Sequence, residues 1–404
     1  MIGQWLLFVS FAISTTCAHS FTFIDAAKAI ESHDSVDALL QRAKSLEEEG
    51  DIRGSWGDPK LKMAAKNYPV DSFNNDQTPM TGIEFGLSQK IALTNRYGKI
   101  ENSFDAMADS QSFASGDQKR LLIKALWDLS IDKKGLIDEK KIIEENLSWV
   151  EKMLAVSNKL YANGKVNQQS LLEIQIRKSE LEIGLNNVDF GMSEIAAKLS
   201  YLIGKNGKTF EIDTVPWKLL EAKAEDDRGD YKLRSLEMKA LSSKEMLKAQ
   251  RLSYIPDLNI SVGYTKRANI DKKGDFLSAM ITFPLPLSSD KYSKHAKAGF
   301  KRAESIRGLR NYQKKKKSNV ELLGHQIEKI QMDLEILSDK SIIFARNSRK
   351  ITTKSYSLGG SSYIELLQAE LKLQKLLLRR VKLSSVLDRK KVQLTYLTGG
   401  KLYE

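Results

Sequence analysis

Hydrophobic and polar positions along the chain follow two periods, and the sequence runs through both of them twice. Apolar residues three and four apart run along Leu181, Leu185, Val188, Met192, Ile195, Leu199 and Leu202, the mark of a helix packed along one seam. The same spacing returns at Leu373, Leu376, Leu383, Leu387, Leu394 and Leu397, interrupted by Arg380 and Lys390. Tyr161, Gly164, Leu171, Leu172, Leu181, Leu199, Tyr201, Leu202 and Gly204 are matched at a constant offset of 195 by Tyr356, Gly359, Leu366, Leu367, Leu376, Leu394, Tyr396, Leu397 and Gly399. Solenoid arrays repeat every 20 to 50 residues or so, so this longer period predicts a duplicated half-molecule, residues 21–215 and 216–404.

Each seam is preceded by another helical run, Ile143, Leu147, Val150 and Leu154 in the first half, and Val320, Leu323, Ile327, Ile330, Leu334 and Leu337 in the second. A run of roughly 60 residues spans about 90 Å. It is expected to turn at the glycines of 161–166 and 356–361 and to come back, giving one long helical hairpin per half. Upstream the period drops to two. Leu61, Met63 and Ala65 alternate with Lys60, Lys62 and Lys66, and Ile83, Phe85 and Leu87 with Glu84, Gly86 and Ser88. In the second half Leu258, Ile260, Val262 and Tyr264 alternate with Asn259, Ser261, Gly263 and Thr265, and Leu277, Ala279, Ile281, Phe283 and Leu285 with Ser278, Met280 and Thr282. These predict β-hairpins at about 60–90 and 257–286. Strands of about 9 to 11 residues can cross a bilayer at a tilt, although a soluble half-buried hairpin alternates in the same way. Phe23 to Gly50 reads as one helix, and Lys205 to Trp217 as the linker between halves. Proline occurs only at 59, 69, 79, 216, 256, 284 and 286, which leaves the long helical runs uninterrupted.

Composition adds the setting. The 404 residues are 41% hydrophobic, 28% charged and 8% aromatic, a mixture that points to exposed helices. The net charge of +13 belongs to the chain beyond Ser20, because Met1 to Ser20 contain no charged residue. Trp5 to Ile13 form a short apolar region and Thr16-Cys17-Ala18 supplies small residues before a cut, so residues 1–20 are expected to be a signal peptide without a positive leading segment. Cys17 is the only cysteine, and Ser14-Thr15-Thr16 before it lacks the aliphatic residue of a lipoprotein signal. No nucleic-acid module is present, since the Lys314 to Lys317 run has no interleaved aromatics and no Cys/His finger occurs.

Hairpins, long antiparallel helices and a second such set together resemble an outer membrane efflux protein of the TolC type. The resemblance spans essentially the whole mature chain. The residues that carry it are Tyr161-x-x-Gly164 with Leu171-Leu172, Tyr356-x-x-Gly359 with Ile364 to Ala369, Ile255-Pro256-Asp257-Leu258, and the Tyr-Leu-x-Gly pair at the end of each half. Gly57 to Leu61 and Asn67 to Phe73 also resemble the metal-exporting branch of that family. The resemblance implies a mainly α protein with a transmembrane β part. Long helical hairpins would form a periplasmic α-barrel, and two β-hairpins per chain would join a trimeric 12-stranded β-barrel in the outer membrane of a Gram-negative cell. It also implies a periplasmic adaptor protein and an inner membrane pump, of the RND type, as partners, with outer membrane lipid around the barrel. Tyr161, Gly164, Lys165, Tyr356, Gly359 and Gly360 would be the adaptor-docking tips. Glu365 and Gln368 would stand in the channel gate, three copies of Glu365 forming an anionic ring that attracts cations. The counterparts in the first half are Ser170 and Glu173.

Elementary chemistry offers no rival site. The histidines 19, 33, 295 and 325 are scattered, and no metal-ligand spacing, nucleophile motif or phosphate loop occurs, so neither an enzyme nor a bound cofactor or metal is expected. Two other readings remain, an outer channel for type I protein secretion and a periplasmic coiled-coil scaffold. The second leaves the two alternating hairpins without a use.

Overall fold

The computed structural model describes residues 21–221, 229–285 and 287–403; the expected signal peptide and Cys17 lie outside them. Two helices, α1 (Phe23–Glu31) and α2 (Asp34–Gly54), lead to strands β1 (Lys60–Lys66) and β2 (Gly82–Ile91). Then come α3 (Arg96–Ala162) and α4 (Gln168–Ile203), a linker of short 3₁₀ turns, and α5 (Tyr231–Leu252). Strands β3 (Leu258–Arg267) and β4 (Phe276–Thr282) precede α6 (Ser289–Ile336), a π-turn at Leu337–Ser341, α7 (Ile342–Ser357) and α8 (Tyr363–Thr398).

α3 sets the scale, since its 67 residues rise about 100 Å. The sheet sits at its start and the first helix tip at its end. Its first half packs on α2 and α5, where paired serines let the helices close up. Ser103 Oγ donates to Ser242 O at 2.9 Å, and Ser110 Oγ to Ser235 O at 2.8 Å. Its second half packs on α4 and α8. Halfway along lies the main core, with Phe23, Ile30, Ile123, Leu126, Trp127, Leu199, Phe210, Val215 and Val392 drawn from α1, α3, α4, the linker and α8. Trp127 Nε1 donates to Leu402 O at 2.8 Å and Phe21 bridges to Phe210, so one end of the described chain is tied there to α3 and the other to the linker.

The second helix of each half is built alike. α4 and α8 are both 36 residues long, and Asn167 and Ser362 cap them from positions 195 apart. Gly204 and Gly399 end them in the left-handed conformation, at φ 64° and 78°.

Three expectations change. Phe23 to Gly50 is not one helix: the chain breaks at Ser32–His33, where His33 Nδ1 accepts from Ser35 N at 3.2 Å and caps α2. Local capping there outcompetes a continuous apolar stripe. In α8 the buried row is Leu366, Glu370, Leu373, Leu377, Val392 and Thr395, while the expected Leu376, Leu383, Leu387, Leu394 and Leu397 are half-buried. α8 has neighbours on two sides, α3 and α6/α7, so burial spreads over most of its circumference. Strand β4 stops at Thr282, before Pro284, so Phe283 and Leu285 lie beyond it.

Candidate functional site

Three places carry the expected function: the sheet, the helix tips and the start of α8. The four strands form one antiparallel sheet in the order β1-β2-β3-β4. Its register puts Leu61 beside Leu87, Val262 and Ala279, and Met63 beside Phe85, Tyr264 and Leu277. One face is therefore apolar across all four strands, and nothing among the described residues covers it. Leu61 is 74% exposed, Met63 67% and Leu277 78%, whereas Glu84, Thr265 and Arg267 on the polar face are buried. Exposure is inverted relative to a soluble sheet. On the polar face Glu84 pairs with Lys66 and with Lys62 at 3.3 Å, and Gly263 leaves room for that carboxylate, since a Cβ there would come within 2.7 Å of it. Arg267 pairs with Asp271 at 2.7 Å and lies over the Phe276 ring. Among the described residues the outer edges of β1 and β4 pair with nothing.

The tips share one hydrogen-bond pattern. Gly164 N donates to Tyr161 O and Lys165 N to Leu160 O; at the second tip Gly359 N donates to Tyr356 O and Gly360 N to Ser355 O, each at 2.9 Å. Gly164 and Gly359 have φ of 67° and 81°, where a side chain would be strained. Tyr161 is 46% exposed, but Tyr356 is buried, its hydroxyl 2.8 Å from Ser157 Oγ among Met153, Leu160 and Leu366. Of the expected tip residues Tyr356 is thus a strut and offers no contact surface; its burial could not be read from a tyrosine beside a turn.

Glu365 and Gln368 are both exposed and one turn apart. Glu365 is the third residue of α8, its amide donating to the capping Ser362 Oγ at 3.3 Å, and it makes no ion pair among the described residues. Five residues on, the sequence reading missed a buried charge. Glu370 is fully buried; it accepts from Arg349 of α7 at 3.1 Å and lies near Arg177 of α4, itself bonded to Gln374 and Glu180. Burial pushes the Glu370 carboxyl above its ordinary range, against the pull of Arg349 and Arg177. Glu370 Oε1 and Arg177 Nε have no hydrogen-bond partner. The signal was present: Leu366, Glu370, Leu373 and Leu377 keep the three-four spacing, with an acid in a core row.

The helices also leave apolar stripes unused. Ile174, Leu181 and Val188 of α4 pack on α3, while Ile176, Ile183 and Phe190 line the opposite side and are 55 to 73% exposed. On α7 Phe344 and Ile351, and Leu358 just past its end, repeat every seven residues and are 69 to 73% exposed. Among the described residues no group of three or more His, Cys, Asp or Glu could hold a metal ion. The segment resembling metal exporters serves turn geometry: Gly57 and Asn67 have positive φ, and Asn67 Nδ2 donates to Met80 O at 3.0 Å. Among the described residues no helix is long and apolar enough to cross a membrane, which says nothing about strands.

No family model matches the sequence, and no curated protein sequence does. Solved structures match strongly. The chain has the fold of the outer membrane channel proteins, the class its TolC-type motifs resemble. The outer membrane protein VceC from Vibrio cholerae is similar over 94% of this chain and 97% of its own, at 14% identity and a TM-score of 0.77. The outer-membrane channel OprN covers 94% and 90% at 13% and 0.77, and the MtrE outer membrane channel of Neisseria gonorrhoeae, in its open state, 100% and 98% at 13% and 0.72.

Proposed function

We propose that this protein is an outer membrane channel of Gram-negative bacteria, the passive outer conduit of a tripartite efflux system. The observation that carries the reading is the sheet, whose apolar face lies bare while its two edges stay unpaired. An open edge is not tolerated in hydrocarbon, so four strands must close with other copies, and three copies give a 12-stranded barrel with the apolar face to lipid. α4 supports the same closure. Its apolar rows lie on opposite faces, as a helix in a ring requires, and the α7 stripe offers the partner row. The charges complement as well, since α7 carries Arg346, Lys350 and Lys354 besides the engaged Arg349 and no acid, while α4 carries five acids, Glu173, Glu180, Glu182, Asp189 and Glu194, against Arg177, Lys178 and Lys198.

In this arrangement the helices form the periplasmic tunnel. The tips at Gly164 and Gly359 dock a periplasmic adaptor that joins an inner membrane pump, and three Glu365 carboxylates ring the narrow end, with Gln368 adding no charge. No enzymatic step is involved. The reading is tested by fractionation and reconstitution. The mature protein is expected in the outer membrane, as a detergent-stable trimer that conducts in planar bilayers. A monodisperse monomer, soluble without detergent, would instead make it a periplasmic scaffold.

A further inference from the structure

The sign of charge along the polar sheet face addresses what passes through. Within the four strands that face carries five cations, Lys60, Lys62, Lys66, Lys90 and Arg267, against one anion, Glu84. The single carboxylate is held by two lysines. At the helix-side end of the face, Asp257 is likewise engaged, by Lys90 at 3.2 Å, Arg96 at 3.7 Å and the Tyr97 hydroxyl at 2.8 Å. Lys60 makes no ion pair among the described residues. There a cavity of about 690 Å³ is lined by Trp56, Lys60, Lys90, Asp257 and Phe283. With that carboxylate held by Lys90 and Arg96, it offers a solute the unpaired Lys60 ammonium and an indole ring that is half exposed. Beyond the sheet the sign persists: Ser289 to Lys317 of α6 contain eleven lysines and arginines against two acids.

We propose that the barrel passage prefers anions and that the cargo is an organic anion, a carboxylate, sulfonate or phosphate with an aromatic part, and not a metal cation. The proposal rests on the channel reading, in which the polar face lines the lumen. Fixed positive charge around a narrow aqueous path concentrates anions and depletes cations. Glu365 does not offset it, because α3 separates the sheet from the tips by about 100 Å and charges are screened over roughly 8 Å in physiological salt.

The test is the reversal potential of the full trimer in planar bilayers under a potassium chloride gradient. A lumen potential of about one to two kT enriches chloride and depletes potassium by the same factor, which gives roughly a seven- to fifty-fold preference for chloride over potassium. The double variant Lys60→Glu, Lys62→Gln is expected to bring that preference most of the way to unity while trimers still form, because Lys60 is unpaired and Glu84 keeps Lys66. 1,5-Naphthalenedisulfonate added on the barrel side is expected to block the wild type and to block the variant at least several-fold less. A pore that prefers potassium, or a preference unmoved by the variant, overturns the anion proposal and leaves the channel standing. A protein that forms no pore overturns both.

Discussion

Removing Arg349 separates two views of the buried charge between the helical hairpins. Glu370 is fully buried, and Arg349, about a quarter exposed, is its only hydrogen-bond donor among the described residues, across the contact of α7 with α8. Arg349→Ala strands a carboxylate in the core, and breaking such a pair costs about 3–5 kcal/mol. Glu370→Leu removes the charge instead and continues the row of Leu366, Leu373 and Leu377, so it should be near neutral, or stabilising by about 1–4 kcal/mol. The assay is hydrogen exchange of amides around 349 and 370 in the assembled protein. For Arg349→Ala local opening should rise by roughly two to three and a half orders of magnitude, a tenfold change being about 1.4 kcal/mol. Glu370→Leu should exchange no faster than wild type. pH supplies a second check. The carboxyl is raised above 4.5 in the fold, so the folded state holds the extra proton and stability falls as pH climbs from 4.5 through the raised value. Glu370→Gln should abolish that slope. If Glu370→Leu opens the region as much as Arg349→Ala does, the pair is a structural necessity and the reasoning fails.

Other outcomes follow from the same structure. Phe190→Glu or Phe344→Glu puts a charge on a free apolar stripe and should lower the trimer fraction at least tenfold in mild detergent, read by size-exclusion chromatography with light scattering; intact trimers would mean these stripes face elsewhere. Replacing both Gly164 and Gly359 with leucine forces positive φ on a branched residue and should abolish export in cells while trimers persist; surviving export would remove the docking role. Glu365→Gln should relieve block by a trivalent cation added on the tip side, and unchanged block would leave Glu365 a helix-start carboxylate. Tyr356→Phe deletes a buried hydroxyl bond and should cost about 1 kcal/mol of tip stability, measured by the same exchange method.

How much was legible depended on how many neighbours each residue has. α4 packs one face on α3 along most of its length, so its seam stood out as Leu181, Val188, Ile195 and Leu199, all of which are buried. α8 is flanked on both sides, and there a single stripe misplaced the core by one position, at Leu376 instead of Leu377. The Gly164 and Gly359 turns were readable because positive φ leaves a compositional trace. The burial of Tyr356 left none, since a hydroxyl pair depends on where other segments lie, while the break at His33 rests on a local cap to Ser35 that a continuous apolar stripe hid.

The strands show where such reading stops. Alternation identified both hairpins and their faces, yet a soluble sheet and a membrane sheet share that pattern, because the period of two reports only that the faces differ. What separates them is which face the rest of the chain leaves bare, and that is a property of neighbours. Here Leu61, Met63, Leu87 and Leu277 are bare while Glu84 and Arg267 are enclosed. A soluble fold would spend its helices on covering that apolar face; this chain runs them away from the sheet for about 100 Å and leaves the face open. The uncovered face and the unpaired edges then impose one requirement together, since a solution that meets only one of them, lipid without other strands or strands without lipid, leaves the other unsatisfied.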